Sequence, residues 1–358
     1  MSLPRLVLAA SLIIPAPANA QRAWSISTTP SLEIPAITEA GEVNFGIVTS
    51  ATRLPNGDIV VADGSAGALV RFSATGVLLS RAGRIGSGPG EFRSLRWMGQ
   101  CGPDSLWTQD LNQPRLSLFT ASGGFVRQVM PPHPATLVQC GATGRLILLT
   151  LGPPPAGGEA TFRQIGDLFA LTSANEFVQL RTGVPATEFA LIGSMPVPDP
   201  LGRTTVLAVQ GQEALLGTAD SAVLERIGPD GQSLGYIRLP QRSRAPTAAE
   251  VARASAALLM NVPPMARAMY KPLIAQIPVP KALPPYFGLW TDPAGRLWVL
   301  RSPPGSPVQF TVVSNTGSIL GEASSPIGFT PMEVLADGIL AVLEQSDGEI
   351  HLVILPFR

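Results

Sequence analysis

Residues 83–92 read GRIGSGPGEF, a stretch with four glycines and one proline in ten positions. Two readings compete for it: a backbone cradle for phosphate, or the joint between two repeated units. The cradle fails on spacing. Gly86 and Gly88 start a G-x-G-x-x-G pattern, but Glu91 stands where its last glycine belongs. No Lys-Ser or Lys-Thr comes after it to complete a nucleotide loop. Beyond the stretch the pattern is that of a strand, not of a helix whose N-terminus could hold an anion. The joint reading remains, and it directs attention to repeats.

Outward from the joint, one phrase recurs six times, a turn followed by an alternating apolar strand. It reads PNGDIVVAD (55–63), GPDSLWTQD (102–110), ATGRLILLT (142–150), QGQEALLGT (210–218), PAGRLWVLR (293–301) and ADGILAVLE (336–344). A second phrase, strand–turn–strand, follows five of the copies: LVRFSATGVLLS (69–80), LSLFTASGGFVRQ (116–128), LFALTSANEFVQL (168–180), VLERIGPDGQSLGYI (223–237) and FTVVSNTGSILGE (310–322). Each phrase is a hairpin element, with Gly, Asn or Asp supplying the positive φ of a tight turn. A spacing of about forty to fifty residues matches four strands per unit, the period of a propeller blade.

The sixth unit lacks its second phrase and ends in EIHLVILPF (349–357), so it is one strand short. At the other end, WSISTTPSLEIPAI (24–37) is strand-like and has no unit of its own. Pairing it beside the last unit would hide two open sheet edges, which are otherwise aggregation hazards. The expected fold class is therefore all-β: a six-bladed β-propeller with an N-terminal closing strand. Between the fourth and fifth units, 241–286 reads differently. Thr247-Ala-Ala-Glu250 is a capping box, VARASAALLM is rich in helix formers, and Pro263-Pro264 ends the run. This segment is expected to be a helical insertion lying on one face.

The 358 residues comprise 45% hydrophobic and 14% charged side chains, ample material for a core. The 36 Gly and 36 Pro indicate many turns rather than long helices. Residues 1–20 have the form of a secretory signal, with MSLPR, the apolar run LVLAASLII and the Ala18-Asn19-Ala20 cleavage pattern. The expected mature domain is 21–358, exported to the periplasm or beyond. Removing Arg5 leaves 24 basic against 25 acidic side chains, a net charge of −1. That balance offers no footprint for nucleic acid, and no polybasic stretch points to a membrane surface. In an oxidising compartment the two cysteines, Cys101 and Cys140, are expected to form a disulfide. They precede equivalent turns in successive units, so the bridge would tie the second to the third.

The joint and the unit behind it, GSGPGEF and GPDSLWTQDLNQPRLSLFTASGGFVRQ, resemble the NHL repeat of six-bladed propellers. Asp110, Arg115, Phe119 and Gly123 sit at places matching that repeat, while Asn112 falls one position early with Pro114 before the arginine. The first unit keeps Asp63 and Phe72 but has Ala68 in place of the arginine, and later units keep only the hydrophobic pattern. The resemblance implies a propeller of the exported bacterial NHL-like group. An Asp at a strand end and an Arg in the next turn are expected to tie neighbouring strands by a charge-assisted hydrogen bond. Trp107 and Trp298 share one place in their phrases and are expected to pack between blades.

Chemistry is scarce. The only histidines are His133 and His351, too few for a histidine-rich zinc site. No G-x-S-x-G elbow marks a nucleophile. A calcium-dependent hydrolase resembling the gluconolactonase propellers needs only carboxylates and amide oxygens at the channel; Glu333 near the start of the last unit is one. Arg96, Trp97, Tyr286, Phe287, Met332 and Glu333 lie near the starts of three units, where side chains border the channel. Together with Arg115 they form the expected binding set, since aromatic residues and arginine dominate recognition hot spots. The leading expectation is a monomeric, non-catalytic module binding a protein, peptide or small ligand on one face, with no cofactor. A metal-dependent hydrolase using calcium, and a structural part of a periplasmic assembly, are the alternatives.

Overall fold

The computed structural model describes residues 22–35, 46–344 except 142, 154, 156–158, 261 and 263, and 349–358. The signal-like residues 1–20 lie outside this range. Six sheets account for the strands of the described residues. Four consecutive antiparallel strands make the first sheet, Val48–Arg53, Ile59–Asp63, Ala68–Phe72 and Leu78–Ala82. The second contains Leu95–Gln100, Ser105–Asp110, Arg115–Thr120 and Phe125–Val129. The fourth contains Val206–Gln210, Glu213–Gly217, Val223–Ile227 and Ser233–Arg238. All six copies of the first sequence phrase end in the second strand of a sheet.

The third sheet is elaborated. Ala135–Cys140 and Leu146–Thr150 are followed by two long strands, Thr161–Leu171 and Phe177–Ile192, and a short fifth strand, Met195–Pro198. The long pair outruns its sequence phrase, with Phe162 stacked on Phe189 at 5.7 Å near its far end.

The N-terminal segment closes the last two sheets rather than one. Leu32–Ile34 pairs antiparallel with Ile350–Pro356 and becomes the outer strand of the sixth sheet, beside Gly338–Glu344 and Thr330–Val334. Arg22–Ser25 instead runs parallel along Ile319–Ser324, a fifth strand on the sheet of Gly288–Thr291, Leu297–Leu300 and Gln309–Val313. The single closing strand expected over 24–37 is thus split. Pro30 cannot donate to a ladder, and Ser27 Oγ donates to the Thr29 carbonyl at 3.0 Å, turning the chain from one sheet to the next.

The hydrophobic core is distributed between sheets. Six buried clusters each join neighbouring sheets, from Ile59, Phe72 and Leu340 between the first and sixth to Leu215, Leu297 and Val299 between the fourth and fifth. The first strand of each sheet touches the first strand of the next, and Thr330–Val334 touches Val48–Arg53. The circuit therefore returns to its start. Trp107 lies between the second and third sheets and Trp298, fully buried, between the fifth and sixth. The Cys101–Cys140 disulfide bridges the inner strands of the second and third sheets, with Cα atoms 5.4 Å apart.

Between the fourth and fifth sheets lie α1 (Ala248–Met260) and α2 (Arg267–Ile274). The capping box forms as its sequence requires. Thr247 Oγ1 accepts the Glu250 amide at 3.2 Å, and Glu250 Oε2 accepts the Thr247 amide at 2.8 Å. Arg244 adds a bidentate pair, and that guanidinium holds the Glu250 carboxyl down at about 2. The helices pack through Ala254 onto Leu201 and Leu283, with Phe287 against the same cluster.

The glycine-rich joint spends its own polar groups. Gly88 N donates to Glu91 Oε2 at 2.8 Å, Phe92 N to the Arg84 carbonyl at 2.9 Å, and Gly86 N to the Phe92 carbonyl at 3.0 Å. Gly83 has a φ of +83°, and a Cβ there would lie 2.8 Å from the Phe92 ring, so only glycine fits. Phe92 in turn stacks on Phe119 at 5.7 Å.

Arg115 belongs to this joint and not to a binding surface. Its buried guanidinium donates to the Ser87 carbonyl at 3.1 Å and to the Glu91 carbonyl. The expected Asp110–Arg115 hydrogen bond is replaced by a looser ion pair at 3.9 Å. Asp110 instead accepts the amides of Arg93 at 2.8 Å and Ser94 at 3.0 Å. Removing the arginine leaves two buried loop carbonyls without their donor and takes the neighbouring positive charge from the Asp110 carboxylate. Arg115→Ala is expected to destabilise the protein by about 3 kcal/mol, with Arg115→Lys restoring only part because it lacks the planar fork. Urea unfolding checks this; a loss under ~0.5 kcal/mol would remove the clamp role.

Candidate functional site

The inner strands of all six sheets border one central channel of about 770 Å³. Because side chains alternate along a strand, each inner strand presents only a few residues to it. The wall includes Ser50 and Thr52, Trp97, Gln139, Leu207, Trp290, and the run Met332-Glu333. Two indoles are accommodated by glycines on their own strands. A Cβ on Gly99 would lie 2.4 Å from the Trp97 ring, and one on Gly288 would lie 2.4 Å from the Trp290 ring. The patterns W-x-G and G-x-W are thus packing requirements that place aromatic surface on the channel.

Charge is sparse on this wall. Among the described residues bordering the channel there is no Arg, Lys or His, and the only carboxylates are Asp292 and Glu333. Asp292 is fully engaged: Oδ1 accepts the amides of Ala294 at 3.0 Å and Arg296 at 2.9 Å, and Oδ2 accepts Arg296 Nε at 2.5 Å and Trp298 Nε1 at 2.9 Å. Glu333 is different. Its Oε2 accepts the Arg53 amide at 2.7 Å and the Thr52 hydroxyl at 3.2 Å, while Oε1 has no hydrogen-bond partner among the described residues. Burial against the inner strands pushes its carboxyl up to about 7, and the two hydrogen bonds and the charge of Arg53 offset that only in part.

Of the residues expected to bind, the fold brings Trp97, Met332 and Glu333 to the channel. Arg96 is exposed and does not line it. Tyr286 is fully buried; its hydroxyl accepts the Ala219 amide at 2.9 Å and donates to the Val223 carbonyl at 3.2 Å, tying the fourth sheet to the fifth. Burial raises that phenol to about 12. Phe287 serves the helical insertion, and Arg115 the glycine joint. Trp290, Gln139 and Thr52 were not anticipated from sequence. The Gly-Leu-Trp spacing at 288–290 carried the signal for Trp290.

The histidines stand apart from the channel. His133 is exposed, and His351 Nδ1 lies 2.6 Å from Glu33 Oε1. No group of three or more His, Cys, Asp or Glu placed to hold a metal ion occurs among the described residues.

No protein-family model and no curated protein sequence matches this chain. Solved structures do. A member of the DUF4221 family from Bacteroides vulgatus is 11% identical with a TM-score of 0.53, covering 94% of this chain and 99% of its own. A protein from Bacteroides fragilis, named for its expected export, is also 11% identical with a TM-score of 0.51, covering 93% and 99%. Virginiamycin B lyase from Staphylococcus aureus, 11% identical over 93% and 94%, has a TM-score of 0.48, too low to bear on chemistry here. At these identities the likeness speaks for the fold alone: the chain is a β-propeller.

The raised Glu333 carboxyl has a stability consequence with a defined sign. Its folded value lies above the usual 4.5, so folding favours the protonated form and stability falls as pH rises from about 4.5 through 7. Glu333→Gln removes that dependence and can still accept both hydrogen bonds. The variant is expected to gain roughly 1–2 kcal/mol over the parent at pH ~8.5 compared with the same difference at pH ~5, allowing for partial screening by channel water. Parallel urea titrations at the two pH values test it; equal differences would mean an ordinary carboxyl.

Proposed function

We propose that this protein is an exported, non-catalytic binding module, a six-bladed propeller of NHL-like type that takes a small ligand into its central channel. The channel carries the proposal. Its volume of about 770 Å³ falls within the range of small-molecule pockets, and its wall combines two indoles and two methionines with isolated polar groups. That is a recognition surface more than a reaction centre. A calcium-dependent hydrolase would need several carboxylates free to ligate, whereas Asp292 is already saturated by four hydrogen bonds. Export is supported by the signal-like 1–20, by the disulfide and by the name of the Bacteroides fragilis relative. The blade number is supported by the six sheets and their closed circuit of inner strands.

A fragment screen by ligand-observed NMR tests the reading, run on the parent protein and on Gln139→Trp and Thr291→Trp, which narrow the channel from two sides. Hits that bind the parent and lose at least tenfold affinity in both variants support channel binding. Hits that ignore both variants, or calcium-dependent turnover of lactones by the purified protein, would overturn it.

A further inference from the structure

Within this reading, we propose that the channel selects a small organic cation, seating an ammonium group against Glu333 beside indole surface from Trp290. The proposal rests on the channel being the binding site and adds the class of ligand. Three observations carry it.

First, the wall is electrostatically one-sided. Among the described residues that line it, the charged groups are Asp292 and Glu333, and only Glu333 retains an oxygen without a hydrogen-bond partner. With a neutral or anionic ligand that oxygen is left to channel water. An ammonium donor supplies what it lacks, and hydrogen bonds between ionised partners are the stronger ones.

Second, the surroundings suit a cation. Trp290 comes from the inner strand next to that of Glu333, while Trp97 lies over Gly99 near the disulfide and lines the far wall. Indole faces attract ammonium groups, most strongly where water is excluded. Met98 and Met332 line the same space with polarizable thioethers.

Third, among the described residues no side chain serves as the counter-ion on the channel side. Arg53, the nearest guanidinium, is held by Asp337 at 2.9 Å and borders a separate, smaller cavity behind Glu333. The strand Gly288–Thr291 brings no charged residue, with Asp292 following it. On Gly338–Glu344 the only titratable residue is Glu344, four residues beyond the Leu340 partner of Glu333. Arg53, Asp337, Asp292 and Glu344 are thus the charged groups on the elements packed around the carboxyl.

The chemistry predicts how binding follows pH. A bound cation favours the carboxylate, so affinity rises as pH rises through about 7 and levels off above it. Below that value binding must expel a proton from Glu333.

Calorimetric titration with phenethylammonium, its neutral counterpart 2-phenylethanol and the anion 3-phenylpropionate gives a direct test. At pH ~8 the ammonium is expected to bind at least tenfold more tightly than either counterpart. Lowering the pH to ~6 is expected to weaken it roughly tenfold, as the ionised fraction of a group titrating near 7 falls by that factor. Glu333→Gln, with folding checked by its melting curve, should lose at least tenfold in ammonium affinity together with the pH dependence. Glu333→Asp should keep the pH dependence at reduced affinity. Phenylalaninamide set beside phenethylammonium then separates a peptide terminus from a simple amine as the source of the cation, and its N-acetyl form, which carries no cation, should bind no better than 2-phenylethanol. Equal binding of the three phenyl compounds, no ammonium binding, or unchanged binding by Glu333→Gln would overturn the proposal. If 2-phenylethanol binds the parent as tightly as the ammonium and is lost in Gln139→Trp, channel binding survives and only the cation assignment falls.

Discussion

The structure depends on the packing of each sheet against the next. A four-stranded sheet with two apolar faces cannot bury both alone, so each needs a neighbour on either side. Second strands such as Ile59–Asp63 and Leu146–Thr150, buried at every position, can exist only inside such a stack. A stack has ends, and the ends are the problem. Here they meet: Ile34, Leu340, Leu352 and Ile354 pack with Ile59, Val61 and Phe72, joining the sixth sheet to the first. Leu32–Ile34 completes the sixth sheet from the opposite end of the described chain, so a contact of very long sequence separation closes the arrangement. Hydrophobic burial supplies the drive, and the ladder on Ile350–Pro356 removes an open edge.

The channel is a geometric consequence of that closure. Inner strands that touch in a circuit leave space at the centre, and short strands with small residues such as Gly99 and Ala208 keep it open. The environment of Glu333 belongs to the circuit too, because its hydrogen-bond partners Thr52 and Arg53 lie in the first sheet, some 280 residues away in sequence. The disulfide fastens the second sheet to the third on the far side of the channel from Glu333, with Cys140 on the wall itself. The elements that stabilise the ring are therefore also those that shape the site.

Much of the fold was legible because the repeat puts the same residue types at the same turns. All six second strands and the strand-turn-strand pairs could be read off their phrases. The capping box at Thr247 marked α1, and the positions of Cys101 and Cys140 marked the bridge. The site was less legible, and for physical reasons. Tyr286 and Phe287 stand at a unit start like Met332 and Glu333, yet they precede their strand and turn into the core. Arg115 looked like a recognition residue because arginine often is one; its burial came from loop carbonyls that no strand pattern reveals. The split of the N-terminal segment between two sheets depended on a turn at Ser27 and Pro30 that the alternation of 24–37 concealed. The raised pKa of Glu333 reflects desolvation by strands distant in sequence, so it could be seen only in the fold.

Ring closure by the N-terminal segment is the central claim, and amide hydrogen exchange measures it most directly. If Leu32–Ile34 is an integral strand, those of its amides that donate into the ladder on Ile350–Pro356 should exchange as slowly as the ladder amides of 350–353 and Gly338–Glu344. All three should then be released together as denaturant is raised. Fast exchange at the ladder-bonded amides of Leu32–Ile34 while the other two stay protected would contradict the account, since the sixth sheet would then stand without its fourth strand.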